Sequence, residues 1–430
     1  MADQQNGPPK FGRSVATLMT GTVIAQALPL LITPILTRIY TPEQFGTLAL
    51  YLAVVFILVS LATLRFELAI IMPESDEDGF AVFLIACLTA AIFCLLTAAI
   101  IAVFQTPIVR LLGDEHLATL LYLVPFSVFF LALFSATNFW NNRQTSYGLM
   151  AQTKVVQSAG TATGQATIPS LAKTESGLVY GSLLGYAAAV AFVTKKNWSA
   201  YRALWSTFQP AHLIANAKRY KNYPLYSTWG SLADKVSLQL PVFVIVRSFS
   251  THLTGVYMLT MRALSVPAMM IGEAIGKVLL QRLAQMQRES PELMFRYVFG
   301  LFWKLLLLTV PGILVLVYWG EPIFTIVFGE QWTSAGRFAG ILVIPAALRF
   351  AVSPLSMVLA LDHNIRLGTL WQLIYLTTII PTLWFASSYS FDRFLWIFVG
   401  HEIVLYLLYL MFILHGSRQR PADEVVPCVD

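Results

Sequence analysis

The chain has 430 residues, of which 57% are hydrophobic and only 12% are charged. Soluble globular domains carry about 25% charged residues, so the composition excludes a soluble domain and predicts an all-α polytopic membrane protein. The formal net charge of +6 does not indicate nucleic acid as a partner. The basic residues concentrate in short segments beside apolar runs, where they report membrane topology.

Apolar runs of about 20 residues predict about twelve transmembrane helices. The predicted spans are 14–37, 44–72, 79–104, 117–138, 145–171, 177–194, 224–249, 253–280, 294–319, 333–360, 366–386 and 392–414. The first run follows a polar leader and has no small-residue cleavage site, so it predicts a true span rather than a signal peptide.

The longest connection, 195–222, carries six basic and no acidic residues, with aromatic residues interleaved. This composition predicts an amphipathic linker that lies along the inner membrane surface. The linker divides the chain into an N-terminal lobe, 1–194, and a C-terminal lobe, 223–416, each with six spans. A cytoplasmic tail, 417–430, follows.

The distribution of Lys and Arg between the loops predicts that both termini are cytoplasmic. In that orientation fifteen basic residues lie in cytoplasmic segments, namely Lys10, Arg13, Arg143, Lys195, Lys196, Arg202, Lys218, Arg219, Lys221, Arg282, Arg288, Arg296, Arg366, Arg418 and Arg420. Five lie in outer loops, namely Arg38, Arg110, Lys173, Arg337 and Arg393. The acidic inner loop 73–79 carries little weight in this rule.

The two halves share a short sequence echo. Arg38 precedes Gly46 by eight residues, and Arg247 precedes Gly255 by the same interval. Because each half has six spans in the same orientation, the echo predicts parallel repeats related by an axis along the membrane normal. A substrate site is then expected between the halves.

Small residues four positions apart predict close contacts between transmembrane helices. They occur at Gly160 and Gly164, at Gly181 and Gly185, and at Gly272 and Gly276. We interpret these pairs as internal packing rather than as a dimer interface.

The sequence lacks the signatures of a cofactor-dependent enzyme. Cys87, Cys94 and Cys428 are the three cysteines, and their spacing predicts neither a disulfide nor a metal site. There is no phosphate-cradling glycine loop with its lysine and no metalloprotease helix motif. We therefore expect no catalytic residues, no cofactor and no enzymatic activity.

Charged side chains inside the apolar spans are the strongest functional signal. Each costs about 2.5–3.5 kcal/mol on insertion scales, so such charges are normally gathered around a wet cavity or an ionic substrate. Most are cationic, which predicts an anionic substrate such as a pyrophosphate. The candidates for a cationic, pyrophosphate-binding cavity are Lys154, Lys235, Arg262, Arg349 and Arg65.

Several charges have structural alternatives. Arg65 lies close to Glu67 and either snorkels or guards a portal from the inner leaflet. Glu273 and Lys277 are spaced i, i+4 and can neutralise each other. Lys304 is expected to snorkel to the headgroups. The candidate acids for ion coupling are Asp234, Glu273 and Glu67, and the in-span neighbours His401 and Glu402 either relay protons or form a structural pair.

Polar side chains repeat at helical spacing along three spans. The first stripe includes Thr22, Gln26 and Thr33, the second Lys154 and Gln165, and the third Ser231, Asp234 and Gln239. Gln26, Thr33, Gln165, Ser231 and Gln239 are therefore candidates for a polar cavity lining. The alternative is that these uncharged side chains join helices through interhelical hydrogen bonds.

Three stretches carry a family resemblance: ITPILTRIYTPEQFG, LATLRFELAIIMPES, and YPLYSTWGSLADKVSLQLPVFVIV with the following TGVYMLTMRALSVPAMMIGEAIGKVLLQRLA. They resemble the Wzx-type oligosaccharide flippases of the polysaccharide biosynthesis family. That family belongs to the multidrug, oligosaccharidyl-lipid and polysaccharide exporter (MOP) superfamily. The resemblance covers nearly the whole chain, and its sharpest parts are the turn from Arg38 to Gly46 and the run with Arg65, Glu67 and Pro73.

The resemblance implies a V-shaped bundle of two six-helix lobes in the bacterial inner membrane. It implies alternating access that flips an undecaprenyl-pyrophosphate-linked repeat unit to the periplasmic leaflet, for O-antigen, capsule or exopolysaccharide synthesis. Coupling to H+ or Na+ is part of that picture. The implied partners are the lipid-linked oligosaccharide, membrane lipids, a polysaccharide polymerase and a chain-length regulator.

Three other functions stay open at this point. A lipid II flippase shares the same physics. A cation-coupled multidrug exporter of the same superfamily would need acidic residues in its cavity, whereas basic residues predominate here. A membrane-embedded polysaccharide polymerase or acyltransferase would need a large outer loop or a polar catalytic cluster, and the outer loops are short.

Overall fold

The computed structural model describes residues 8–172, 176–289, 291–360 and 365–418, and this part of the chain is helical apart from short connections. Its helices are α1 (Pro8–Ile39), α2 (Pro42–Ala62), α3 (Phe66–Ala69), α4 (Asp76–Leu112), α5 (Leu117–Leu120), α6 (Val124–Arg143), α7 (Tyr147–Ala172), α8 (Gly177–Thr207), α9 (Ala211–Arg219), α10 (Thr228–Ser248), α11 (Thr251–Glu289), α12 (Pro291–Phe328), α13 (Thr333–Val352), α14 (Ile365–Ala386) and α15 (Phe391–Gly416). Short 3-10 or π turns occupy Leu121–Leu123, Tyr223–Ser227, Glu330–Trp332 and Ser353–Ala360.

Within these described residues, nine helical segments are long and apolar enough to cross a membrane. They correspond to nine of the twelve predicted spans. The other three predicted spans coincide with α7, α11 and α14, which are helical but whose described residues do not meet the same measure of length and hydropathy. The all-α membrane class is confirmed, and the count of twelve spans stays a prediction.

The helix α2 begins and ends at two distinct signals. Thr41 and Gln44 form a capping box at its start, in which each side chain satisfies a backbone N–H of the other residue. At its end Leu64 and Arg65 adopt φ values of +49° and +62°. This left-handed conformation costs about 1–2 kcal/mol for residues that carry a Cβ. The predicted span 44–72 is therefore divided into α2 and the short helix α3.

The chain divides into two compact units, Met1–Met258 and Leu259–Asp430, with the boundary inside α11. In the first unit α7 packs against α1 and α8, α4 packs against α6 and α9, and α10 packs against α2. In the second unit α13 packs against α12 and α15, and α14 packs against α15. The division into lobes at the linker stays a prediction.

Glycines bring α7 and α8 into close contact. A Cβ added at Gly160 would lie 3.1 Å from the Cα of Gly185, and one at Gly164 would lie 2.8 Å from the Cα of Gly181. The two predicted small-residue pairs therefore face each other in one interface, where side chains larger than hydrogen do not fit. At Gly276, by contrast, an added Cβ would meet no atom of the described residues within 4 Å.

The sequence echo corresponds to a symmetric crossing of α2 and α11. A Cβ at Gly46 would overlap the carbonyl oxygen of Thr251, and one at Gly255 would overlap that of Pro42. Thr251 precedes Gly255 by four residues, and Pro42 precedes Gly46 by four. Each glycine thus packs on the equivalent position of the other helix, which supports the interpretation as a repeat.

A hydrogen-bonded pair of side chains lies at the same crossing. Glu43 Oε1 is 2.7 Å from His252 Nδ1, and each of these residues stands three positions before its glycine. The pair therefore continues the symmetry of the crossing through side chains, and the two helix starts are joined by both packing and a side-chain hydrogen bond.

Candidate functional site

A buried carboxylate lies among α13, α14 and α15 in the second unit. Glu402 Oε2 accepts a hydrogen bond from Arg349 Nη2 at 2.6 Å, and Oε1 accepts one from the hydroxyl of Tyr375 at 2.7 Å. His401 Nδ1 lies 3.8 Å from the same Oε1. The Arg349 guanidinium also lies over the Tyr406 ring, 5.2 Å from its centroid. We call Arg349, Tyr375, His401, Glu402 and Tyr406 the Glu402 cluster.

Helical spacing assembles this cluster. Glu402 and Tyr406 are four positions apart on α15, so they share one face, and Tyr375 faces them from α14. Arg349, which the sequence predicted as a cavity cation, is paired with Glu402, and its side chain keeps 34% exposure while that of Glu402 keeps 2%. The sequence singled out Glu402 with His401, as a proton relay or a structural pair, but it did not predict Arg349 as the partner of Glu402.

Lys154 joins two of the predicted polar stripes in the first unit. Its Nζ donates to the hydroxyl of Thr22 at 3.1 Å, which connects α7 to α1. Thr33 is fully buried, and its hydroxyl donates to the carbonyl oxygen of Pro29 within α1. Gln26 is half-buried on the same helix. The stripes of α1 and α7 therefore meet at Thr22 and Lys154.

Gln165 is buried and joins three segments. Its Nε2 donates to the carbonyl oxygen of Leu178 and to the hydroxyl of Ser182, both at 3.0 Å, and its backbone carbonyl accepts from the Tyr40 hydroxyl at 2.7 Å. Burial raises the pKa of the Tyr40 phenol well above its usual range, so this hydroxyl stays a donor. Gln165 and Tyr40 thus hold α7, α8 and the turn after α1 together.

The third stripe lies on α10 and is partly exposed. Ser231 and Gln239 are half-buried. Asp234 and Lys235 lie between them with 45% and 41% exposed side chains, and their charged atoms are 4.0 Å apart. Charged side chains this exposed on a membrane span are stable only if they face water or polar groups rather than hydrocarbon. Of the three stripes, this one has the surface that a wet cavity requires.

Arg65 and Glu67 lie at the left-handed break after α2. Arg65 Nη1 is 3.3 Å from Glu67 Oε1, and the Thr63 hydroxyl donates to Glu67 Oε2. The Arg65 Nε is buried and has no hydrogen-bond partner among the described residues. The break therefore places an ion pair with an unused donor at the end of a span.

Two further predicted residues, Arg262 and Glu273, lie on α11. Arg262 is half-buried on α11 in the second unit. The side chain of Glu273 lies outside the described residues, as does that of Lys277. No group of three or more His, Cys, Asp and Glu side chains in the described part of the chain could hold a metal ion.

Sequence reasoning also missed Arg143, which it counted only as a topology signal. Its guanidinium donates to the backbone carbonyls of Ile70, Pro73, Glu74 and Ser75, at 2.6–3.3 Å, and its Nε donates to Asp76 at 3.1 Å. A Cβ at Gly79 would lie 2.6 Å from the Arg143 Nε, so only glycine leaves room for the guanidinium. Arg143 thus fixes the loop between α3 and α4.

The amphipathic linker is tied to the same end of α4. Asn216 on α9 donates to Asp78 Oδ1 at 2.7 Å, and His212 Nδ1 is 3.2 Å from the same oxygen. An aromatic core that includes Phe80, Trp140 and Tyr201 lies beneath. The basic residues of the linker, Lys195, Lys196, Arg202, Lys218, Arg219 and Lys221, are all exposed. The linker therefore anchors through the amide of Asn216, the imidazole of His212 and aromatic side chains, and it leaves its Lys and Arg side chains on the surface.

Solved structures define the fold. The chain superposes on an inward-facing multidrug resistance MATE family transporter of the MOP superfamily with a TM-score of 0.71 and 15% identity, covering 92% of this chain and 96% of that one. It superposes on the lipid II flippase MurJ, in an inward closed conformation, with a TM-score of 0.71 and 12% identity, covering 94% and 88%. The molecule is therefore an all-α membrane protein with the fold of the MOP superfamily.

The family follows from the sequence itself. The profile of the polysaccharide biosynthesis protein family matches residues 35–337, so the chain belongs to that family, as the sequence resemblance predicted. The teichuronic acid biosynthesis protein TuaB of Bacillus subtilis (strain 168) is 22% identical over 177 residues. This match covers 41% of the chain and 36% of TuaB, so the chain spans about a third of the length of the curated relative it matches.

Proposed function

We propose that the protein flips undecaprenyl-pyrophosphate-linked oligosaccharide repeat units from the cytoplasmic to the periplasmic leaflet by alternating access. The observation that carries the proposal is membership of a polysaccharide biosynthesis family in a chain with a transporter fold. Polymers of this kind need a lipid-linked precursor to cross the membrane, and a fold shared with a lipid II flippase suits such a cargo. The location that fits is the bacterial inner membrane, with both termini cytoplasmic.

The charges of the spans support an anionic cargo. Lys154, Lys235, Arg262, Arg349 and Arg65 are the proposed pyrophosphate-binding residues. Arg and Lys replace the hydration that a pyrophosphate loses when it leaves water, and Arg can do so with two parallel hydrogen bonds. An inside-negative membrane potential favours outward movement of an anion by about 2.3 kcal/mol per charge per 100 mV.

The polar side chains divide between two proposed roles. Ser231 and Gln239 lie beside exposed charges on α10 and fit a cavity lining. Thr33 and Gln165 are buried in helix contacts, so we assign them to packing, while Gln26 stays a candidate for the lining. We propose Asp234 and Glu67 as ion-coupling acids, each beside a cation. No enzymatic step is needed, and a polymerase and a chain-length regulator would use the product.

The test is deletion of the gene in its host, with analysis of surface polysaccharide and of the pool of lipid-linked repeat units. We expect the polymer to disappear and undecaprenyl-pyrophosphate-linked units to accumulate on the cytoplasmic leaflet. Unchanged polymer with altered drug sensitivity would favour a multidrug exporter. Arrested cell-wall synthesis with accumulating lipid II would favour a lipid II flippase.

A further inference from the structure

One face of α8 stays exposed along the helix, and its chemistry changes near residue 194. Before that point the face carries Tyr180, Leu184 and Ala191. Beyond it the same face carries four exposed side chains, namely Lys195, Trp198, Arg202 and Trp205. Intervals of three, four and seven residues keep all of them on one side of the helix. An apolar stripe that continues as cations and indoles is typical of a surface that passes from hydrocarbon into lipid headgroups.

The opposite face of this segment is packed against the other helices of the first unit. Asn197 Nδ2 donates to Asn141 Oδ1 at 2.8 Å, and the Tyr201 ring lies 5.9 Å from the Trp140 ring, centroid to centroid. Trp140 and Asn141 lie within three positions of the end of α6 at Arg143. The exposed stripe beyond residue 194 is therefore level with the end of α6 that the topology prediction places in the cytoplasm.

The start of α4 gives a second measure of this level. The Trp205 ring contacts the Phe80 ring edge-on, with 6.4 Å between the centroids, yet 62% of Trp205 is exposed. Phe80 is four positions after the start of α4 at Asp76. Trp198 is also 62% exposed. Both indoles therefore lie near the ends of membrane-spanning helices, where Trp is enriched because its ring has an apolar body and a polar N–H.

The helix α9 presents a similar surface at the same end of the unit. Its inward side bears Asn216, which donates to Asp78 near the start of α4. Lys218 is two positions further, about 200° around the helix axis, so its exposed side chain points away from that carboxylate. Ile214, which is 63% exposed, precedes Lys218 by four positions and shares its side of the helix. An apolar side chain thus lies beside a cation here as well.

The charge of the segment decides which lipid it fits. Residues 195–222 carry six basic and no acidic side chains, and all six are exposed. Two of the four acids in the neighbouring loop 73–79, moreover, already bind protein partners. Each Lys or Arg near a membrane surface strengthens the attraction of anionic lipid by about fivefold. The excess of cations therefore favours headgroups with a net negative charge over zwitterionic ones.

We propose that these two helices form a binding site for anionic phospholipids of the adjacent leaflet. The site, which we call the α8–α9 surface, consists of Lys195, Trp198, Arg202 and Trp205 with Ile214 and Lys218. The cations bind headgroup phosphates, while the indoles and Ile214 lie against the first carbons of the acyl chains. The site does not rest on the proposed function, since its ligand is a lipid of the membrane itself and not the cargo.

The test uses the full-length protein in phosphatidylcholine vesicles that contain increasing fractions of phosphatidylglycerol brominated near the headgroup. Bromine quenches tryptophan fluorescence only at close range, so the part of the quenching that is lost in Trp205→Phe reports the α8–α9 surface. We expect the binding constant of phosphatidylglycerol there, relative to phosphatidylcholine, to be about tenfold or more. High salt should reduce it, because exposed charges are screened.

The double variant Lys195→Gln with Arg202→Gln should lower this relative constant by about tenfold, since two headgroup-binding cations are lost. Both side chains are exposed, so the packed face of α8 stays intact. The matched control is Arg110→Gln with Arg393→Gln, which removes two exposed cations at the predicted outer ends of α4 and α15. The control should keep the wild-type constant.

Equal quenching by brominated phosphatidylglycerol and brominated phosphatidylcholine in the wild type overturns the proposal, because the surface then has no preference for charge. An equal loss in the control variant also overturns it. Sodium pyrophosphate, compared with sodium chloride at matched ionic strength, should leave the lipid bound; displacement would assign the surface to a free phosphate-type anion instead. A strong lipid preference in a protein whose deletion leaves surface polymer unchanged supports the lipid site and counts against the proposed function.

Discussion

The crossing of α2 and α11 offers a sharp test of the packing, through Gly255→Ala. The added Cβ would lie 2.7 Å from the carbonyl carbon of Pro42 and 2.8 Å from the backbone nitrogen of Gly46. Carbon atoms in contact prefer about 3.5–4.0 Å, so the helices must separate by about 1 Å. Overpacking costs about 1–3 kcal/mol, and the overlap of the added Cβ with the Pro42 carbonyl oxygen places this case at about 3 kcal/mol. Alanine recovers about 0.5–1 kcal/mol of helix propensity, which leaves a net loss of about 2–2.5 kcal/mol.

The matched control is Gly300→Ala on α12, where an added Cβ meets no described atom within 4 Å. There the helix propensity acts alone, so we expect a gain of about 0.5–1 kcal/mol. Thermal unfolding of both detergent-purified variants, followed by tryptophan fluorescence, should move in opposite directions from the wild-type midpoint. If Gly255→Ala unfolds at or above the wild-type midpoint, the close crossing and the symmetry argued from it are wrong.

Three further predictions concern single side chains. Arg143→Met should lower stability by about 1–3 kcal/mol, because the partly buried carbonyls of the loop lose a charged donor. Limited proteolysis should then cut the loop between α3 and α4, and unchanged resistance to the protease would contradict this role. Lys235→Glu should abolish surface polymer while the variant protein stays at its normal abundance in the membrane, whereas Lys304→Ala, at an exposed side chain, should be tolerated. Polymer blots measure the product and immunodetection measures the protein. A Lys235→Glu protein that still supports polymer synthesis would refute the cationic cavity. Tyr40→Phe should cost about 1–2 kcal/mol, since the buried carbonyl of Gln165 loses its donor, and an unchanged melting midpoint would show that another group replaces it.

Most of the fold could be predicted from apolar runs, because a bilayer requires about 20 apolar residues for each helix that spans it. The break after α2 could not be predicted. The segment that contains Leu64 and Arg65 has no Gly or Pro to signal a left-handed turn, and the contact from the Thr63 hydroxyl to the Glu67 carboxylate that accompanies the turn is not a recognisable sequence pattern. The glycine pairs of α7 and α8 were predictable, since close helix approach admits only small residues.

The candidate site was predictable in its residue types but not in its partners. Arg349 and Glu402 are 53 positions apart, and no local pattern relates them. The same limit applies to Arg143, whose acceptors lie about 70 positions earlier in the chain. The sequence reveals a charged residue whose burial in a span costs free energy, but only the packing of the helices shows whether a second side chain neutralises that charge.

In each of the two units, considered by itself, an ion pair combines a partly exposed arginine with a buried glutamate. In the first unit the Arg65 side chain is 29% exposed and that of Glu67 is 6% exposed. In the second unit Arg349 is 34% exposed and Glu402 is 2% exposed. In each pair a neighbouring hydroxyl group donates to the buried carboxylate and holds it in position. The carboxylate in turn orients the arginine, whose side chain stays partly accessible. The reverse arrangement, an accessible acid on a buried base, would suit a cationic cargo. The burial of the acids rather than the bases therefore favours an anionic ligand. It also explains how a membrane protein can keep cations within its spans: the paired carboxylate lowers the free-energy cost of each cation, while the exposed part of the arginine can still bind a ligand.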